Sequence, residues 1–117
     1  MTPEQILAYP SRVLTQAQRQ QYFEHGYVGV QELVPADILA KLQAVTRDFV
    51  KQSCAVSRSD ESFDIGPGHG PNNPVLRRLK SPDEQSQVYW NFATGLMADI
   101  AADLVGPNVT FHHSKLN

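Results

Sequence analysis

The stretch Leu104-Val-Gly-Pro-Asn-Val-Thr-Phe-His-His-Ser-Lys-Leu-Asn117 decides how the chain is to be read. Gly106-Pro107 ends a helix, because glycine takes up left-handed backbone freely and proline has no N–H with which to continue the ladder. Val109 to Leu116 alternates and carries β-branched and aromatic residues, which predicts a strand. A strand needs a neighbour for its backbone hydrogen bonds. The sequence upstream offers almost none. The expectation is therefore the front part of a longer protein, with its chemistry mostly beyond Asn117.

Upstream of this strand, Ser81-Pro82-Asp83-Glu84 predicts a helix start: a cap, a proline in the first turn, and acids near the positive end of the dipole. Tyr89, Phe92, Leu96, Ile100 and Leu104 then mark one face at steps of three or four, widened by Val88, Met97 and Ala101, as far as Gly106. A second helix follows Pro35, where Ile38, Leu42, Val45 and Phe49, with Leu39 beside them, form a stripe over about 18 residues. A third starts at Thr15, with Gln18 completing a capping box and Leu14 placed as a staple, and ends at Gly26. Tyr27-Val28-Gly29-Val30 predicts a short strand. Residues 1–13 read as a loose arm in which Ile6, Leu7 and Tyr9 pack locally and Pro10 stops any helix.

Residues 53–74 change character to Ser, Asp, Gly, Pro and Asn, with Phe63 and Ile65 as apolar anchors. They are expected to be a flexible Gly/Pro-rich loop, either a linker or a lid over a site supplied elsewhere. Val75-Leu-Arg-Arg-Leu-Lys80 fits a short helix or an extended segment.

The bulk numbers set limits. A chain of 117 residues holds one domain at most. Ten Lys and Arg against twelve Asp and Glu, with no dense basic run, argue against a nucleic-acid partner. There is no apolar run long enough for a membrane span, and the N-terminus lacks the basic and apolar regions of a secretory signal. The single Cys54 excludes an internal disulfide and fits a reducing, cytoplasmic setting, as an incidental thiol near a helix end.

Four histidines, His25, His69, His112 and His113, are the candidates for metal binding. None has a metal-site spacing, and no His-x-Asp or His-x-Glu occurs. His112 and His113 on a strand would point to opposite faces, so they would not chelate together. Gly66-Pro-Gly-His-Gly-Pro lacks the ending and the strand-to-helix context of a phosphate-binding loop. Arg77, Arg78 and Lys80 form a basic cluster suited to a carboxylate or phosphate, or simply to solvent. In Tyr89-Trp90-Asn91-Phe92, the first and last residues belong to the core stripe, while Trp90 points elsewhere, towards the Gly/Pro loop.

Three segments together resemble the N-terminal part of the phytanoyl-CoA dioxygenase family of iron(II)- and 2-oxoglutarate-dependent oxygenases. They are Leu14-Thr-Gln-Ala-Gln-Arg-Gln-Gln-Tyr-Phe-Glu-His-Gly-Tyr-Val28, Leu33-Val-Pro-Ala-Asp-Ile-Leu39, and Ala102-Asp-Leu-Val-Gly-Pro-Asn-Val109 leading into His113-Ser-Lys-Leu-Asn117. The middle segment Arg77-Arg-Leu-Lys-Ser-Pro82 is similar too.

The resemblance implies an α+β fold. About three N-terminal helices with short strands would buttress a double-stranded β-helix, or jelly roll, most of which is missing here. Residues 1–117 would be the helical part of one such domain. The family's metal is held by His-x-Asp and a distant His, and an Arg further on binds oxoglutarate. None of these is present, and the His-x-Asp would fall some tens of residues after Asn117. The parent protein would use Fe(II) and 2-oxoglutarate to hydroxylate a small organic substrate, whereas this chain alone is expected to bind neither and to be inactive. In such enzymes the strand matching His113 to Asn117 lines the mouth of the site, so His113 and Asn117 are the expected contacts to cosubstrate or substrate. His113, Lys115 and Asn117 would share a face. Two other readings compete. One is a non-catalytic helical protein-interaction module, complete as given. The other is a metal-binding protein using His112 or His113.

Overall fold

The computed structural model describes all residues, 1–117. The chain is mixed helix and strand. In order it forms α1 (Pro3–Leu7), α2 (Gln16–His25), α3 (Ala36–Ser53), β1 (Phe63–Ile65), β2 (Leu76–Lys80), α4 (Pro82–Gln85), α5 (Gln87–Thr94), α6 (Leu96–Val105) and β3 (Lys115–Leu116). The strands make one antiparallel sheet in the order β1-β2-β3. Two compact units result: residues 1–35 with 92–111, and residues 36–91 with 112–117.

The first unit is helical. Both α1 and α2 begin with the same code, Thr-x-x-Gln. The Thr2 and Thr15 side chains accept from the backbone N–H of Gln5 and Gln18, and each Gln side chain accepts from the N–H of its threonine. This reciprocal bonding satisfies N–H groups that a helix start otherwise leaves unpaired. Residues 1–13 are thus not a loose arm: α1 is capped, and Ile6 is buried. Gly26 ends α2 in left-handed backbone with φ 80°, as its place after His25 predicts. The expected strand at Tyr27–Val30 does not form. No strand lies beside it, and Tyr27 remains 67% exposed, so neither ladder nor core holds it extended.

A buried polar hub joins the parts of this unit. Asp103, 2% exposed, accepts from the backbone N–H groups of Arg12, Val13 and Leu14, each at 2.8 Å. Arg19, 1% exposed, donates through Nε to the Asp103 carbonyl at 2.9 Å, through Nη1 to the Tyr9 carbonyl and Gln16 Oε1 at 3.0 Å, and through Nη2 to the Ile6 carbonyl at 2.5 Å. One guanidinium therefore ties α1, α2 and α6. Outside the hub, Arg12 also pairs with Asp99 at 2.8 Å, but on the surface, where such a pair contributes little.

The second unit places α3 against one face of the sheet. Phe49, Phe63 and Leu79 form the buried centre, surrounded by Val45, Val56, Ile65, Leu76, Tyr89 and Leu116. The predicted stripe on α3 supplies Leu42, Val45 and Phe49 to the interior, while Leu39 stays out. Tyr89 sits 6.4 Å from Phe49, ring to ring, and its hydroxyl meets Thr46 Oγ1.

Two further expectations are corrected. The single helix predicted from Ser81 to Gly106 is three, interrupted at Ser86, whose backbone is extended, and at Gly95. Neither residue has strong helix propensity, and glycine is the weaker of the two. Ser81 does not cap; it has φ 45° and makes no side-chain cap bond. The closing strand is shorter than Val109–Leu116, and it has a partner. Only Lys115 and Leu116 are in ladder register, and β2 is their neighbour. The partner was obscured because Leu-Arg-Arg-Leu has an apolar spacing of three, which is not that of a plain strand.

Two outcomes test these packing arguments. Asp103→Ala is expected to cost about 3–5 kcal/mol, because it strips three amides of their acceptor and removes the carboxylate charge that faces the buried Arg19. Burial pushes the Asp103 carboxyl up. The N–H groups of Leu14, Arg12 and Val13 and the Arg19 charge outweigh this and hold it below the ordinary 3.8. A depressed carboxyl stabilises the fold fully above its unfolded value and loses that contribution as pH falls through the lower native one. Amide exchange at Arg12, Val13 and Leu14 should therefore accelerate in acid below about pH 3.8, and the Ala variant should lack that step. In the sheet, Leu79→Ala at a position 1% exposed is expected to cost about 2–5 kcal/mol in urea unfolding.

Candidate functional site

The polar face of the sheet is set by a β-bulge. Phe63 pairs with Leu79 and Asp64 with Arg78, but Ile65 pairs with Leu76, so Arg77 is an extra residue on β2. A bulge changes the phase of side-chain alternation. Here it lets Leu76 and Leu79, three apart, both reach the core that Phe63 and Ile65, two apart, also reach. The same step leaves Arg77 and Arg78 both exposed.

On β3, Leu116 faces the core opposite Leu79, and Lys115 lies opposite Lys80. By alternation, Arg78 and Lys80 share the outward face with Lys115 and Asn117. Arg78 Nε donates to Asn117 Oδ1 at 3.1 Å, which joins two residues from separate predictions: the basic cluster and the end of the closing strand. Lys80 Nζ donates to the Asp60 carbonyl at 2.7 Å.

The two sheet edges differ. Along β1, Asp60 Oδ1 accepts from the N–H groups of Ser62 and Phe63, the Asp60 N–H donates to the Phe63 carbonyl, and Ser59 Oγ accepts from the Ile65 N–H. These bonds hold the Asp60 carboxyl low, Phe63 contributing most and Ser62 next. They also occupy the groups with which a further strand would pair. β3 is paired on its β2 side alone, so the sheet can grow only there.

The Gly/Pro segment holds defined bonds. Ile65 and Leu76 bound a hairpin whose tip is the Gly70–Asn73 bridge. His69 clamps it. Nδ1 accepts from the Val75 N–H at 2.9 Å, which leaves the proton on Nε2, facing the Ser53 carbonyl at 2.8 Å at the end of α3. Gly66 is required by close approach, since a Cβ there would lie 2.9 Å from Val75 Cγ1. Sequence patterning missed the role of His69. The signal was a lone histidine among glycines, one that could bond both ways across a turn.

Of the two predicted contact residues, Asn117 lies on the Arg78 face. His113 precedes β3, and its ring meets His112 edge to face at 4.6 Å between centroids. The two rings are thus neighbours and not on opposite faces, because the backbone there is not a strand. No three His, Cys, Asp or Glu side chains converge in a way that could hold a metal ion. These residues alone contain no ligand set for the iron of the resembled family.

His69→Ala is expected to free the Val75 N–H and a carbonyl at the α3 terminus, lowering stability by about 1–3 kcal/mol. Faster amide exchange at Val75, with exchange along α2 unchanged, is the corresponding measurement.

No family model, no characterised protein and no solved structure shows detectable similarity to this chain.

Proposed function

We propose that these residues are the N-terminal portion of an Fe(II)- and 2-oxoglutarate-dependent dioxygenase that hydroxylates a small organic substrate. Its metal ligands would be supplied by residues outside this sequence, and the chain by itself would be inactive. The reading rests on the segments that resemble the phytanoyl-CoA dioxygenase family. The observation that carries it is the asymmetry of the sheet. One edge is sealed by Ser59 and Asp60, while the β3 edge, next to Asn117, is where further antiparallel strands of a jelly roll would pair. In that arrangement α3 backs the sheet, and the opposite face, with Asn117, forms a wall of the mouth. Iron and oxoglutarate would supply the oxidising chemistry, and this part would supply support and a polar surface.

A second reading, a protein-interaction module, is favoured by the apolar side chains left in solvent in the helical unit. Met1 and Tyr9, with Gln5 and Ala8, line an open depression of about 410 Å³.

The coding sequence after Asn117 tests the first reading. It is expected to encode His-x-Asp some tens of residues on, then a later His and Arg, and the full-length product is expected to release succinate from 2-oxoglutarate only with Fe(II). A stop codon directly after Asn117 in a verified transcript, or His-x-Asp absent from the full reading frame, would refute it.

A further inference from the structure

We propose that the outward face of β2 and β3 is an anion-binding site that takes a carboxylate or phosphate group. Its donors are Arg78, Lys80, Lys115 and Asn117. The inference is independent of the oxygenase reading, since it needs neither a metal nor any residue outside the chain.

The register sets the geometry. Lys80 and Lys115 are directly opposite across the β2–β3 pair, and Arg78 lies across from Asn117, one step along. Three cations and one amide thus form a two-by-two block on one face. Cross-strand neighbours of this kind stand about 4.5–5.5 Å apart at Cβ, and like charges so placed repel. None of them forms an ion pair, and the one carboxylate that attracts Lys80, that of Asp60, does so only weakly beside its own backbone bonds. The chain's one ion pair is Arg12 with Asp99, in the other unit. Lys80 is drawn towards the Asp60 carbonyl, and Lys115 is exposed. Asp64 stands opposite Arg78 on β1 but makes no ion pair with it; its Oδ1 accepts from Ser59 Oγ at 3.2 Å.

Arg78 is held for the task. Asn117 Oδ1 takes its Nε–H, which orients the guanidinium and leaves both Nη groups without a protein partner. A guanidinium can offer two parallel N–H groups to two oxygens of one oxyanion, a geometry that suits carboxylate and phosphate. Because Asn117 spends its oxygen on Arg78, its Nδ2 hydrogens are available to the same ligand. The bulge at Arg77 is what puts Arg78 on this face while Leu76 and Leu79 keep the core. An oxyanion seated here would relieve the Lys80–Lys115 repulsion and accept from Arg78 and Asn117 together.

The test is an NMR titration of the chain with inorganic phosphate and with acetate, at ionic strength held constant with sodium chloride. Saturable shifts are expected at Arg78 Nε–H and the Asn117 side-chain amide, with no such response to chloride. Arg78→Gln and Lys115→Gln should each weaken binding about tenfold or more. Asp64→Asn, which removes a facing carboxylate, should tighten it, and Lys41→Gln on α3 should leave it unchanged. All four changes are at or near the surface, and amide spectra of the variants confirm folding. A linear, unsaturable response, or equal binding by Arg78→Gln, Lys115→Gln and the unchanged chain, would overturn the proposal.

Discussion

The carboxylate of Asp103 is the point on which the helical unit depends. It lies in the last turn of α6, where the helix dipole opposes a negative charge, and it is buried, which opposes it further. Three consecutive backbone N–H groups offset both costs. In doing so they fix the path of residues 12–14 into the cap of α2, whose Thr15 follows directly. Arg19 then closes the arrangement from the other side with four acceptors, three of them backbone carbonyls. These carbonyls belong to Ile6 and Tyr9, at and beyond the end of α1, and to Asp103 itself. Carbonyls from the ends of two helices are thus gathered around a single guanidinium. With so little apolar residue content buried in this unit, chiefly Ile6, Leu14, Ile100 and Ala102, the polar hub has more to do than in a larger core.

The second unit solves a different problem, that of placing two arginines between two core leucines. A regular strand cannot send Leu76 and Leu79 to the same side. The bulge does so with one extra residue, and the outcome is a sheet with an apolar face against α3 and a cationic face away from it. Core packing and surface chemistry therefore share one cause. Removing the bulge would drive a leucine out or an arginine in.

Legibility in the sequence followed how local each determinant is. The α2 capping box, the Gly26 stop and the α3 stripe are set within a few residues, and they were readable. The second capping box, at Thr2 and Gln5, carries the same code, but Pro10 close behind it limits α1 to five residues and masks the signal. The break at Gly95 was hidden because the apolar stripe from Tyr89 to Leu104 keeps its phase across it, although Tyr89 serves one unit and Ile100 the other. β2 was undecided because its three-residue spacing fits a helix as well as a bulged strand. Arg19 and Asp103 lie 84 residues apart, and nothing in either neighbourhood announces their bond. For the site, the basic cluster and Asn117 were each visible alone, and only the strand register brings them together. The strand face expected to carry His113 begins only at Lys115, two residues beyond it.

The central claim is that register, with Lys80 opposite Lys115 and Phe63 opposite Leu79. The Lys80 N–H bonds to the Ser62 carbonyl at 2.8 Å, so Phe63 and Leu79 form a non-hydrogen-bonded pair, as do Lys80 and Lys115 on the other side of β2. Such pairs bring their Cα atoms to about 4.5 Å. The direct measurement is the set of nuclear Overhauser contacts between Hα protons across the sheet. The account predicts strong Phe63–Leu79 and Lys80–Lys115 contacts. Contacts of Phe63 with Arg78, or of Lys115 with Leu79, would place the strands one residue out of step and contradict both the core and the cationic face.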